Sequence, residues 1–153
     1  MTATAHMDSR HADQLATEPY DTLSHLDHHT RAQAIPPEDA GPGFYLELES
    51  PDGARLLALH DPMVYAGRSF TSGVRFDDHS VSRRHAIFVR RAGRTKVLDD
   101  RSLNGTFVNG RRVEEAELTD GDVVVLGSVV LVYREVRDRR AGIAAATLPD
   151  GPC

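Results

Sequence analysis

Short runs of alternating apolar and polar residues, separated by tight turn signals, fill the chain from Phe44 to Glu135. No stretch in this range repeats its apolar residues with the 3.6-residue period that an amphipathic helix requires. Many short strands joined by closely spaced turns are typical of a β-sandwich or barrel. The sequence therefore predicts an all-β domain.

Four hairpins are predicted within this range. The strongest signal is Asn109-Gly110, because a type I′ turn needs positive φ at both central residues and these two residue types tolerate it best. Other turn signals are Pro51-Asp52-Gly53, Ala92-Gly93 and Gly127-Ser128, each of which lies between two short apolar runs. We therefore expect neighbouring strands to pair locally over most of the domain.

The composition changes ahead of Phe44. Residues 1–42 show no sustained apolar period, and Pro36-Pro37 and Gly41-Pro42-Gly43 interrupt both helix and strand. These residues carry seven acidic and two basic side chains, which account for the whole net charge of −5. We therefore expect a disordered acidic tail and linker over residues 1–42, a folded domain over residues 43–137 and a C-terminal tail over residues 138–153.

Charge and composition argue against several classes of protein. Residues 43–137 carry fourteen basic and fourteen acidic side chains, so this domain lacks the positive charge that drives nucleic-acid binding. No apolar run reaches the length of a membrane span, about 18 residues. The N-terminus also lacks the basic start and apolar stretch of a secretory signal. We therefore expect a cytoplasmic protein that binds neither nucleic acid nor membranes.

Metal-binding residues are sparse. Cys153 is the single cysteine, so the sequence predicts neither an internal disulfide nor a clustered zinc site. His25, His28 and His29 could ligate a metal, and Asp77-Asp78-His79 is a second candidate, but solvated side chains are the simpler interpretation of both groups. We therefore expect no metal and no cofactor.

Three segments between predicted strands concentrate polar groups that suit an anion. They are Gly67-Arg68-Ser69, the segment from Asp77 to His85, and the segment from Asp99 to Thr106. Loops carry the specific chemistry of most all-β domains. Gathered at one end of a sandwich, these loops would supply guanidinium, hydroxyl and amide donors. Such donors match the acceptor oxygens of a phosphate and the backbone of an adjacent peptide.

Five short motifs follow one another in this region. Arg68 follows Gly67, and Ser82-x-x-His85 begins fourteen residues after Arg68. The remaining motifs are Asn104-Gly105-Thr106, Asn109-Gly110 and Gly121-Asp122. Their order and spacing resemble the forkhead-associated (FHA) domain family over about residues 43–136. The resemblance implies an FHA-type sandwich of about eleven short strands that binds phosphothreonine and has no enzymatic activity.

The resemblance also implies a role for each matched residue. Arg68 and Ser82 would contact the phosphate, Arg83 would add a further phosphate contact, and a small pocket for the threonine methyl would favour phosphothreonine over phosphoserine. Asn104 would bond the main chain of the peptide, while His85 would brace the loops from beneath. The predicted phosphopeptide-binding residues are Arg68, Ser82, Arg83, Asn104 and Thr106. The predicted structural residues are Gly67, His85, Gly105, Asn109 and Gly110.

Two other classes of function compete with this interpretation. Ser82 and His85 could be a nucleophile and a base, but no Gly-x-Ser-x-Gly elbow surrounds Ser82, and the pair does not by itself make a triad. A protein-interaction module that uses a sheet face without phosphate is the other alternative.

The sequence departs from the family pattern at Leu103, where a small hydroxyl residue is common.

The acidic tail suggests a regulatory role. Thr17 and Thr22 lie beside acidic residues and are candidate phosphorylation sites. A flexible linker from Thr22 to Phe44 would let a phosphorylated tail fold back into the binding site and inhibit it, although a solubilising tail is the alternative. The expected partners are threonine-phosphorylated proteins and a Ser/Thr protein kinase, for which the domain would act as an adaptor or regulator.

Overall fold

Two packed β-sheets form the body of the protein in a computed structural model that describes residues 21–137. The all-β sandwich predicted from the sequence is confirmed. The eleven strands are β1 (Gly43–Ser50), β2 (Gly53–Ala58), β3 (Met63–Gly67), β4 (Val74–Arg75), β5 (Ala86–Arg91), β6 (Arg94–Asp99), β7 (Thr106–Val108), β8 (Arg111–Val113), β9 (Glu115–Leu118), β10 (Val123–Leu126) and β11 (Val129–Val136).

The strand order places local hairpins beside long-range pairings. The six-stranded sheet runs β2-β1-β11-β10-β7-β8, and the five-stranded sheet runs β4-β3-β5-β6-β9. All pairs are antiparallel except β3 with β4, which is parallel. Pairing of β1 with β11 brings the first and last strands together and closes the domain.

The hairpins form where the turn signals predicted them. Asn109 and Gly110 have φ values of 52° and 84°, as a type I′ turn requires. Ala92 and Gly93 likewise have positive φ values of 56° and 76° between β5 and β6. The conformation of the Asn109-Gly110 turn therefore follows from the local sequence, whereas Ala92 adopts a positive φ that alanine disfavours.

The core lies between the inner faces of the two sheets. Tyr133 of β11 is fully buried, and its hydroxyl donates to Thr95 Oγ1 of β6 at 2.7 Å, which links the two sheets. Burial raises the pKa of Tyr133 to about 12, so the hydroxyl keeps the proton that it donates. The core thus contains a satisfied polar link among mainly aliphatic side chains.

The prediction of a disordered tail over residues 1–42 is wrong for its second half. Residues 21–42, here called the docked segment, pack on the sandwich as a 3₁₀ turn (Leu23–His25), a one-turn helix α1 (His28–Arg31) and a second 3₁₀ turn (Pro37–Asp39). The remaining tail residues, 1–20 and 138–153, lie outside the described part of the chain.

Single anchor residues hold the docked segment in place. Leu26 is fully buried in the core and forms an isolated antiparallel bridge with Phe76. Ile35 exchanges two backbone hydrogen bonds with Leu56, at 2.9 and 2.7 Å, and so covers the free edge of β2. Because such anchors do not repeat along the chain, they leave no periodic pattern for sequence analysis to detect.

Within residues 21–137, no helix is both long and apolar enough to cross a membrane.

Candidate functional site

Three loops carry Arg68, Ser82 and Asn104, three of the residues predicted to contact the phosphopeptide. The β3–β4 loop comprises residues 68–73, the β4–β5 loop residues 76–85 and the β6–β7 loop residues 100–105. The backbone N–H of Arg68 donates to the carbonyl of Ser82 at 3.0 Å. This bond fastens the first loop to the second.

The β6–β7 loop is also bonded to the β4–β5 loop, at Ser80 and Ser82. The backbone N–H of Leu103 donates to Ser82 Oγ at 2.9 Å. Asn104 Nδ2 donates to the carbonyl of Ser80 at 2.8 Å. The structure therefore brings Arg68, Ser82 and Asn104 together at one rim of the sandwich, although they come from three separate segments of the chain.

Arg68 is held by two hydrogen bonds, one from its backbone N–H and one from its side-chain Nε. Its Nε donates to the carbonyl of Val81 at 2.5 Å, directly before Ser82. No acceptor within residues 21–137 engages its two terminal nitrogens. A guanidinium fixed in this way keeps its planar fork available for two oxygens of an external anion.

His85 supports the second and third loops from below. The N–H of Ser82 donates to His85 Nδ1 at 3.0 Å, so Nδ1 carries no proton and Nε2 must. Nε2 then donates to the carbonyl of Gly105 at 2.8 Å. This single imidazole, which is fully buried, therefore ties the backbone of Ser82 to the loop that carries Asn104.

The charge state of His85 follows from its burial. Desolvation lowers the pKa of His85 below its ordinary value, against the opposing effects of the Gly105 carbonyl and Asp99. A neutral ring is what the two hydrogen bonds require, because a protonated Nδ1 could not accept from Ser82. The buried ring therefore acts as a structural brace.

Gly67 allows the closest backbone approach in the site. A Cβ at this position would lie 2.1 Å from the carbonyl oxygen of Arg83 and 2.9 Å from that of Ser82. No side chain fits in that space, so β3 can end against the β4–β5 loop only with glycine at this position. This contact places Arg68 directly beside Ser82.

The rim of the site is cationic. Two of the nearby carboxylates are engaged, since Asp78 contacts His25 and Asp100 forms an ion pair with Arg84, whereas Asp77 is exposed. Three exposed arginines around the site have no ion-pair partner within residues 21–137, and the resulting field attracts an anion. These residues are Arg83, Arg101 and Arg112.

Comparisons with known proteins show which family the chain resembles. A family model of the FHA domain matches residues 64–127. The oxoglutarate dehydrogenase inhibitor of Corynebacterium diphtheriae is 40% identical over 96 residues, which make up 63% of this chain and 67% of that protein. The chain belongs to the forkhead-associated (FHA) domain family. The resemblance seen in the sequence motifs is thereby confirmed.

Other FHA proteins show similar matches. The glycogen accumulation regulator GarA of Mycolicibacterium smegmatis is 38% identical over 94 residues, which span 61% of this chain and 60% of that protein. The chain thus spans less than two thirds of the length of this GarA protein. A structure solved in a study of phosphothreonine-dependent FHA domain interactions is 33% identical, with a TM-score of 0.56 over 61% of this chain and 96% of that one.

One predicted contact of the FHA site must be corrected. Thr106 was predicted to bind the phosphopeptide, but its side chain is fully buried and its hydroxyl donates to Asp99 Oδ1 at 2.7 Å. Along β7 the side chains of Thr106 and Val108 point into the core, whereas Phe107 lies between them on the other face. Thr106 is therefore part of the loop support.

Two carboxylates organise the FHA loops and were not predicted. Asp99 accepts hydrogen bonds from the backbone and hydroxyl of Ser102, and Asp78 accepts the same pair from Ser80. Burial alone would raise the pKa of Asp99, but the hydrogen bonds from Ser102 and Thr106 outweigh burial and hold the pKa below its ordinary value. The spacings Asp78-x-Ser80 and Asp99-x-x-Ser102 are those of local Asp turns and could have revealed both.

The Asn109-Gly110 turn joins β7 to β8 and is bonded to the neighbouring strand β10. Asn109 Nδ2 donates to Asp122 Oδ1 at 3.1 Å, and Asn109 Oδ1 accepts from the N–H of Val123 at 3.0 Å. These bonds fasten the β7–β8 turn to the start of β10. The predicted structural role of this motif therefore has a direct physical basis.

Some candidate metal ligands and one candidate phosphorylation site are less exposed than expected. Within residues 21–137, no group of three or more His, Cys, Asp and Glu side chains could hold a metal, and His25 contacts Asp78 instead. Thr22 is fully buried, and its hydroxyl has no hydrogen-bond partner in the described part of the chain. A kinase cannot reach a buried hydroxyl, so the proposal of Thr22 as an accessible site is wrong for the docked state. Thr17 lies outside the described residues.

Proposed function

We propose that this FHA protein is a phosphothreonine-dependent binding module that acts in the cytoplasm as a non-catalytic adaptor or regulator in Ser/Thr-kinase signalling. The observation that carries the proposal is that Arg68 is bonded to two neighbouring carbonyls of the β4–β5 loop: its Nε donates to Val81 and its backbone N–H to Ser82. Relatives named as an inhibitor and a regulator, and a structural relative with phosphothreonine-dependent interactions, support the same class of function.

The energetics of this site favour a phosphorylated ligand. A phosphate group carries about −1.5 to −2 charges and three strong acceptor oxygens. Hydrogen bonds to charged groups contribute roughly 1.5–3 kcal/mol each. Arg68, Ser82 and Arg83 would supply several such bonds, and Asn104 would bond the peptide backbone. After the cost of association, an affinity in the micromolar range, about −8 kcal/mol, is expected.

Dependence on phosphate is the direct test of this function. A labelled threonine peptide should bind in its phosphorylated form with micromolar affinity and lose about 100-fold or more when the phosphate is absent, because nearly all charged hydrogen bonds are lost. Fluorescence anisotropy with the phosphopeptide, before and after phosphatase treatment, measures the difference. Equal affinities would contradict the proposal and favour a phosphate-independent interaction through a sheet face.

We also propose that the phosphorylated N-terminal tail inhibits the site by occupying it. Asp21, the first described residue, lines a groove with Pro51 and Asp52 of the β1–β2 turn. This turn is at the same end of the sandwich as Ser128, whose hydroxyl lies 2.9 Å from that of Ser80 in the β4–β5 loop. Asp21 therefore lies at the end of the sandwich that carries the site.

Thr17 is the candidate for this inhibition, since it precedes Asp21 by only four residues, a reach of about 14 Å. Phosphorylation by a Ser/Thr kinase should weaken binding of an external phosphothreonine peptide about tenfold, because an attached ligand competes at high effective concentration. The comparison is made between phosphorylated and unphosphorylated full chains, with kinase-treated Thr17→Ala as control. Identical affinities for the two forms would rule out inhibition by the tail.

A further inference from the structure

The docked segment contacts the residue that supports Arg68. Asp27 Oδ2 accepts a hydrogen bond from Arg75 Nη1 at 3.0 Å. Arg75 Nε in turn donates to the carbonyl oxygen of Arg68 at 3.0 Å. The guanidinium of Arg75 also lies 3.9 Å from the ring centre of Phe70, in the same loop as Arg68. Arg75 therefore links the docked segment to the β3–β4 loop.

A second line of contacts runs from the docked segment to Asn104. His25 Nδ1 lies 2.5 Å from Asp78 Oδ2. The other oxygen of Asp78 accepts from the backbone and hydroxyl of Ser80, at 2.8 and 2.6 Å. The carbonyl of Ser80 is the acceptor for Asn104 Nδ2 at 2.8 Å. The two lines thus begin two residues apart, at His25 and Asp27, and end on two different site residues.

We propose that the docked segment is part of the phosphothreonine-binding apparatus, in which Asp27 is a positioning residue for Arg68 through Arg75, and His25 for Asn104 through Asp78. This inference rests on the proposed function. It also gives a functional role to the docked segment, which lies outside the family model that matches residues 64–127. The strands alone would then hold the site loops less firmly than the full chain does.

The environment of Asp27 favours such a role. Its side chain is 15% exposed and that of Arg75 is 26% exposed, so solvent screens their ion pair less than a pair on the open surface. Burial alone would raise the pKa of Asp27, but hydrogen bonds from Thr30 and Arg75 outweigh burial and lower the pKa, so the carboxylate is charged at neutral pH. Leu26, which precedes Asp27, is fully buried and keeps the segment in register.

Asp27 also has a second, purely structural role, and the test must separate this role from its contact with Arg75. Its Oδ1 accepts from the N–H of Thr30 at 2.8 Å and caps helix α1. Asparagine caps helices about as well as aspartate does. The substitution Asp27→Asn therefore keeps the cap and removes the charge that holds Arg75.

The test uses the full chain and a phosphothreonine peptide that the unmodified protein binds. Asp27→Asn should raise the Kd about fivefold, which corresponds to about 1 kcal/mol. The matched control is Glu47→Gln, which makes the same change of charge in a pair with Arg134 on β1 and β11, where Glu47 is 19% exposed. This control should leave the Kd within about twofold of the unmodified value.

A double-mutant cycle distinguishes positioning from a general loss of stability. If Asp27 acts through Arg75, Asp27→Asn should have little further effect on the Kd in an Arg75→Gln background. Equal Kd values for the Asp27→Asn and Glu47→Gln chains, or full additivity in the cycle, would overturn the positioning role while phosphothreonine binding stands. If no phosphothreonine peptide bound to the unmodified chain, the proposed function itself would be refuted.

Discussion

Replacing Arg68 by alanine is expected to weaken binding of a phosphothreonine peptide by about tenfold or more, while the fold stays intact. The guanidinium is held only by its Nε contact with Val81, and its two terminal nitrogens have no acceptor within residues 21–137. Losing one bidentate contact to phosphate removes at least about 1.4 kcal/mol, which is a factor of ten. Fluorescence titration gives the affinity and thermal unfolding reports on the fold.

Arg91→Ala is the matched control for this experiment. Arg91 is exposed, whereas Arg68 is half-buried. Arg91 is the last residue of β5, whose first residue adjoins the site loop, so it lies at the far end of that strand. The two substitutions change the net charge equally, but only Arg68→Ala removes a guanidinium from the site. Similar losses of affinity in both variants would mean that general electrostatic attraction, and no specific contact by Arg68, holds the peptide.

Gly67→Ala is expected to destabilise the domain by about 3 kcal/mol. The added Cβ would lie 2.1 Å from the carbonyl oxygen of Arg83, and this neighbour is backbone that cannot rotate away. Separating β3 from the β4–β5 loop would also move Arg68 away from Ser82, so the affinity for phosphopeptide should fall as well. Urea unfolding of the full chain measures the loss of stability.

Gly41→Ala provides the comparison for Gly67. A Cβ on Gly41 would have no atom within 4 Å, and its φ lies outside the left-handed region, so the change should alter the free energy of unfolding by less than about 0.5 kcal/mol. If Gly67→Ala were equally mild, the tight approach of β3 to the β4–β5 loop would not be a requirement of this fold.

Those parts of the fold that depend on local sequence could be predicted. Asn109-Gly110 forms its turn because positive φ is tolerated at both positions, which is a property of the residues themselves. The grouping of Arg68, Ser82 and Asn104 could be predicted only through resemblance to a family. Their proximity depends on the long-range pairing of β3 with β5 and of β5 with β6, which composition does not reveal.

The errors share a physical cause. Thr106 belongs to the predicted motif, but the direction of its side chain depends on the alternation along β7, where Val108 is also buried. The docked segment is held by isolated contacts such as that of Leu26 with Phe76, which join residues fifty positions apart in the chain. In both cases contacts with distant parts of the chain decide the outcome, so disorder over residues 21–42 and peptide binding by Thr106 were incorrect predictions.

The site is both rigid and attractive to anions. A buried neutral imidazole supplies the rigidity, and guanidinium groups at the rim supply the positive charge. His85 fixes the loop backbones without adding charge, since its pKa is lowered by burial. Arg68 and the arginines around it then present positive charge from a prearranged framework. Preorganisation of this kind reduces the entropy lost on binding and so favours affinity.

A structure of the full chain bound to a phosphothreonine peptide tests the central claim most directly. The account predicts phosphate oxygens within about 3 Å of both a terminal nitrogen of Arg68 and the hydroxyl of Ser82. It further predicts that Asn104 contacts the main chain of the peptide. A phosphate bound elsewhere on the domain, or an Arg68 guanidinium turned away from Ser82 in the complex, would contradict it.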